Sequence, residues 1–178
     1  NSKKQRTMKK YIAEAIGTFV LTFLGCGAAV SLGCAEENTA AVVGTAIAFG
    51  LAVVAMAYTI GGVSGCHINP AITLGVFLSG RMSAKDCGMY MIFQVIGAFI
   101  GSALLWVLTD NTDLVGTGAN DLQAGVSMIG GLVAEIVFTC VFVLVVLGTT
   151  DEKKGAGNFA GLAIGLSLVL VHQYKAET

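Results

Sequence analysis

Apolar residues fall in five long stretches, 11–33, 40–60, 87–108, 127–149 and 158–172, each closed by charged or turn-forming residues. A bilayer hydrocarbon core takes about 20 apolar residues in helical form, so each stretch predicts a membrane-spanning helix, the fifth being short for a span. Basic residues ahead of the first stretch also fit a secretory signal peptide. The apolar run behind them is too long for one, and four more follow, so a retained helix is the better reading.

The segment 61–80 is too broken by glycine to span a membrane and too apolar for an ordinary loop, and it reads as re-entrant. Pro70 suits the first position of a helix, where its missing N–H is an orphan anyway, and Asn69 is then the N-cap. Gly80 suits the C-terminal stop. A helix from Pro70 to Leu78 is roughly 13 Å long, about half the hydrocarbon thickness, which puts its N-terminus near the midplane. Non-helical backbone at that depth is tolerated where it lines a water-filled cavity or is buried in protein. Gly65, Cys66, His67 and Ile68 thus supply candidate pore-lining carbonyls. The Asn69 amide oxygen can cap the half-helix while its NH2 donates into the cavity. The positive end of the half-helix disfavours a cation there, so the arrangement passes neutral molecules and opposes protons. The competing reading is a surface Asn-Pro turn.

Charge sets an orientation. Lys3, Lys4, Arg6, Lys9 and Lys10 precede the first span, Arg81 and Lys85 lie between the second and third, and Lys153 and Lys154 between the fourth and fifth. These share one side, cytoplasmic by the positive-inside rule, with Lys175 alone outside the pattern. The opposite connections carry Glu36, Glu37, Asp110, Asp113 and Asp121. The N-terminal basic run then reads as a membrane-surface anchor in preference to a nucleic-acid arm.

Composition agrees: 55% of the 178 residues are hydrophobic and 12% charged, against about 25% charged in a typical soluble domain. With a mean hydropathy of +0.81, this excludes most water-soluble enzymes and any disordered reading. A net charge of -1 removes the driving force for nucleic-acid binding. The five cysteines form no CxxC pair and read as small reduced packing residues; the neighbours Cys66 and His67 lack a third group for a metal site. No cofactor, metal site or set of nucleophile, base and orienting group is indicated.

The chain also aligns on itself. Ala13-Glu14 falls on Ala134-Glu135, Thr18 on Thr139, Val20 on Val141 and Gly27 on Gly148, all at an offset of 121. Ala48, Gly50, Leu51 and Val54 fall on Ala163, Gly165, Leu166 and Val169 at an offset of 115. Three spans separate the two starts, so the second copy enters the membrane from the opposite side, an inverted-topology repeat of the kind found in channels and transporters.

The run Ser64-Gly65-Cys66-His67-Ile68-Asn69-Pro70-Ala71-Ile72-Thr73 resembles the first NPA loop (Asn69, Pro70, Ala71) of the major intrinsic protein family, the aquaporins and glycerol facilitators. Ala13-Glu14-Ala15-Ile16-Gly17-Thr18-Phe19 resembles its first-helix signature, and Ala134-Glu135 with Thr139 the echo in helix four. The resemblance is strongest to a bacterial-type, water-selective aquaporin. It implies an all-α membrane protein, a right-handed helical bundle with an inverted repeat, here about five transmembrane helices plus one re-entrant half-helix. The chain reads as one aquaporin-like domain over 1–178, with a first repeat over about 9–108 and a partial second over about 127–172. Homotetrameric assembly, one pore per subunit, and a multi-pass place in the plasma membrane with a cytoplasmic N-terminus are further implications.

By the same resemblance Phe49, in Ala48-Phe49-Gly50-Leu51, is the aromatic that narrows the selectivity filter, and His172, ending Gly165–His172, is the filter histidine of water-selective members. An interfacial histidine at a helix end is the alternative for His172. Glu14 and Glu135 are carboxylates in apolar spans, costly unless partnered, and the resemblance makes them braces of the re-entrant loops, with Glu14 expected near His67. A second Asn-Pro-Ala is expected about 115 residues after the first, near 184, beyond Thr178, so the chain reads as a C-terminally truncated member. The functional expectation is passive conduction of water across the bilayer. The alternatives are a glycerol or small neutral solute facilitator and a truncated, non-conducting membrane subunit.

Overall fold

A computed structural model describes residues 2–34, 38–110, 112–114, 116–118 and 126–175. Glu36, Glu37, Asp121 and 176–178 lie outside the described residues, as do the side chains of Lys3 and Lys175. All regular structure among the described residues is helical: α1 (Ser2–Leu32), α2 (Thr39–Ser64), α3 (Pro70–Leu78), α4 (Ala84–Thr109), α5 (Met128–Thr149) and α6 (Ala160–Lys175), the last entered through a short 3-10 turn, Gly157–Phe159. Among these, α1, α2, α4 and α5 are long and apolar enough to cross a membrane. At 16 residues α6 is about 24 Å long, shorter than a full span.

Local chemistry accounts for several ends. The Asn38 side chain accepts from the Ala41 N–H at the start of α2, Ser83 from Asp86 at the start of α4, and Ser127 from Gly130 at the start of α5. Gly80, at φ 77°, turns the chain out of α3, and the Arg81 N–H then closes on the Val76 carbonyl at 3.1 Å.

Two boundaries differ from the hydropathy reading. α1 begins at Ser2, nine residues before its apolar stretch, because Lys, Gln, Arg and Met are good helix formers whatever their polarity. α2 continues through Gly61 and Gly62 to Ser64 and stops only at Gly65, where φ is 89°. The Ser64 carbonyl accepts from the Tyr90 hydroxyl at 2.7 Å, a tertiary tie that offsets the low helix propensity of the two glycines.

α1 packs against α2 and α4, α2 against α6, α6 against α5, and α3 against α4 and α5. Small residues set the closest approaches: a Cβ on Gly101 of α4 would lie 2.9 Å from the Phe19 carbonyl of α1, and a Cβ on either Gly50 or Gly165 would lie 2.6 Å from the other's carbonyl oxygen. This is how membrane helices gain dispersion contact without a hydrophobic driving force between them. One core cluster joins Ala13, Val53, Ile60 and Ile68, and another joins Ile72, Val76, Phe142 and Val146. Both lie against the re-entrant segment. Outside the bundle, Phe99, Leu78 and Leu144 are each about 70% exposed, a surface stable only against lipid or other apolar partners.

Candidate functional site

The site is organised by Glu14, which is fully buried on α1. Its Oε1 accepts from the Ser64 hydroxyl at 2.6 Å and the His67 N–H at 3.0 Å; its Oε2 accepts from the Ile68 N–H at 2.7 Å and Gln94 Nε2 at 2.8 Å. Four donors supply the compensation that a carboxylate in an apolar span requires. Two of them are backbone groups of the loop between α2 and α3, so the carboxylate holds that loop in place. Gln94, 1% exposed on α4, also donates to the Thr73 hydroxyl at 2.9 Å and so ties α1, α3 and α4 together.

The loop needs that support. Cys66 and Ile68 have φ of 51° and 44°, in the left-handed region, where each non-glycine residue costs about 1–2 kcal/mol. The Cys66 N–H goes to Ser64 Oγ at 3.1 Å, and those of His67 and Ile68 to Glu14. The loop thus spends its N–H donors on the protein.

Asn69 caps α3. Its Oδ1 accepts from the Ala71 N–H at 2.7 Å and the Ile72 N–H at 3.4 Å, with Pro70 in the first turn. Oδ1 is occupied, and Nδ2 remains to donate. His67 Nδ1 lies 3.1 Å from the Thr73 hydroxyl, which also lies 3.1 Å from the Asn69 carbonyl. Thr73 thereby locks the histidine ring to the first turn of α3.

A cavity of about 850 Å³ runs past these groups. Its lining on α2 extends from Phe49 to Gly61 and on to Gly65 in the loop, about 24 Å along the helix axis. Gly65, Cys66, His67, Ile68 and Asn69 form part of the wall. At one end Phe49 and His172 meet with ring centroids 4.5 Å apart and planes tilted by 32°. At the other are Arg81, Thr150 and Asp151. There Arg81 donates to the Leu147 carbonyl at 2.7 Å and to the Thr150 hydroxyl at 2.9 Å, clasping the end of α5.

The structure thus brings Glu14, His67 and Asn69 into one network and Phe49 and His172 into one contact, along a single cavity. Glu135 is exposed on α5. Ala71, in the first turn of α3, gives its N–H to the cap. Sequence reasoning missed Gln94, Tyr90, Thr73 and Arg81. A lone glutamine amid Met91-Ile92-Phe93 and Val95-Ile96 was the available signal for the first. No three His, Cys, Asp or Glu side chains among the described residues gather as a metal site.

The major intrinsic protein family model matches residues 1–178. The chain is 45% identical over 172 residues to aquaporin Z of Rhodopseudomonas palustris, spanning 92% of this chain and 71% of that one. It is 42% identical over 172 residues to aquaporin Z of Brucella melitensis, spanning 93% and 75%. Among solved structures, the aquaglyceroporin from Plasmodium falciparum superposes with a TM-score of 0.80 at 26% identity, covering 97% of this chain and 72% of that one. A capped half-helix braced by a buried glutamate, the helical architecture and the matching relatives agree, and the chain belongs to the major intrinsic protein family.

Proposed function

We propose that the chain carries the water pathway of a passive aquaporin channel, and that the cavity shared by Asn69 and the Phe49–His172 pair is that pathway. The single observation behind this reading is that one cavity meets both the capped half-helix and the ring pair. Water accepts from Asn69 Nδ2 and turns its hydrogens outward toward the carbonyls of 65–68, while the positive end of α3 opposes protons and cations. Pro70 and Ala71 hold that end of α3 in its first turn. Phe49 narrows the filter, and His172 gives it a polar edge. Glu14 braces the loop together with His67 and Thr73, and repeat symmetry assigns Glu135 to the same kind of bracing.

A glycerol facilitator is the second reading, favoured by the aquaglyceroporin neighbour. The 4.5 Å contact between Phe49 and an imidazole favours the smaller solute. The basic residues near Lys9, Arg81 and Lys153 support a cytoplasmic N-terminus, and family resemblance supports a place in the plasma membrane and a homotetramer.

Osmotic shrinkage of proteoliposomes followed by stopped-flow light scattering tests the function. The expected result is fast, weakly temperature-dependent water efflux with little glycerol uptake. Efflux at the lipid-only rate despite confirmed insertion rejects the channel, and glycerol uptake comparable with water favours the second reading.

A further inference from the structure

Gly25, buried on α1, is not among the cavity-lining residues, yet it borders the ring that narrows the cavity. A Cβ built on it would lie 2.5 Å from Cδ1 and 2.6 Å from Cζ of Phe49, and closer still to Cε1. The Phe49 ring therefore occupies the space that any side chain at position 25 would need. The next residue, Gly50, is locked against Gly165: a Cβ on it would lie 2.6 Å from the Gly165 carbonyl and would collide with Val169. Because that crossing holds the backbone of α2, a group added at position 25 presses on the Phe49 ring itself, which lines the cavity and meets His172 there.

Resting on the reading of Phe49 and His172 as the pore constriction, we infer that Gly25 is a positioning residue for the filter: the missing side chain on α1 sets how far the Phe49 ring projects, and so how large a solute passes. Pore diameter decides selectivity among neutral solutes, and one added methyl group against the ring is a change on the scale of that diameter. Alanine is a better helix former than glycine, so Gly25→Ala does not weaken α1 itself. Its effect acts through the ring.

The test compares water and glycerol permeability of proteoliposomes made with the full chain and four variants. Gly27→Ala is the control on the same helix, because a Cβ there would lie 3.7 Å from Leu105, an ordinary contact. The expected results are a several-fold loss of water permeability in Gly25→Ala, wild-type behaviour in Gly27→Ala, and increased glycerol passage in Phe49→Leu. The same permeabilities are expected in Phe49→Leu with and without Gly25→Ala, the coupling that contact through a single ring demands. If Phe49→Leu leaves both permeabilities unchanged, the constriction reading itself fails. If Phe49→Leu opens the pore while Gly25→Ala conducts as wild type, or if Gly25→Ala remains harmful in the Phe49→Leu background, the constriction stands and the role of Gly25 is overturned. Should Gly25→Ala fail to insert, recovery of insertion by adding Phe49→Leu supports the inference and continued failure overturns it.

Discussion

At the scale of single residues the account rests on hydrogen-bond valence. Glu14 answers four donors with two oxygens, so Glu14→Gln replaces an acceptor with an NH2 that faces other donors. Leaving one or two buried donors unsatisfied costs about 1–3 kcal/mol each, and a clear fall in thermal midpoint is expected, read by scanning fluorimetry in detergent. Gln94→Leu is expected to cost less. It removes one donor each from Glu14 and Thr73, but it also removes Gln94 Oε1, which is buried without a partner. A larger fall for Gln94→Leu than for Glu14→Gln would contradict this ordering. Outside the membrane, the Asp151 carboxylate accepts from the Lys153 and Lys154 N–H groups at 2.9 and 2.8 Å, and the Lys154 and then the Lys153 bond hold its pKa below the ordinary 3.8. A depressed folded pKa stabilises the turn above the unfolded value, and that support is lost as pH falls below 3.8 and through the folded value. The Asp151 carboxyl resonance should therefore titrate below 3.8, and a midpoint above it would contradict the turn.

At the scale of elements, α3 was the most legible piece of the chain. Pro70 fits only the start of a helix, Asn69 is a strong cap, and Gly80 stops the helix, so the signals are local. What joins α3 to the rest was not legible. The bonds from Gln94 and Tyr90 cross 80 and 26 residues, and their register depends on how closely α4 approaches α1 at Gly97 and Gly101, which hydropathy does not encode. Arg81 read only as a positive charge because its partners are the Leu147 carbonyl and the Thr150 carbonyl and hydroxyl at the end of α5, the carbonyls made available by that helix's termination. Capping and donation by Asn69 are separable. Asn69→Ala loses the cap, at about 1 kcal/mol, together with the donor. Asn69→Asp keeps the cap, removes the donor and adds a negative charge. The expected outcome is near-native stability for Asn69→Asp with reduced water flux and raised proton leak, measured with a trapped pH dye; unchanged proton exclusion would contradict the role given to the half-helix.

At the scale of the whole molecule, two features far apart in sequence become one device. The loop at 65–69 and the pair Phe49–His172 were read separately, and their placement on one cavity came from the crossing of α2 and α6 at Gly50 and Gly165. The self-alignment already marked those two glycines as equivalent, but not as touching. Cys66 lies in the cavity wall, so it reports the route as well as the flux. The decisive measurement is water efflux from proteoliposomes before and after a small thiol reagent, in the wild type and in Cys66→Ser. The account predicts efflux well above that of lipid alone, slowed by the reagent in the wild type and untouched by it in Cys66→Ser. No efflux above lipid, or a block that persists in Cys66→Ser, would contradict it.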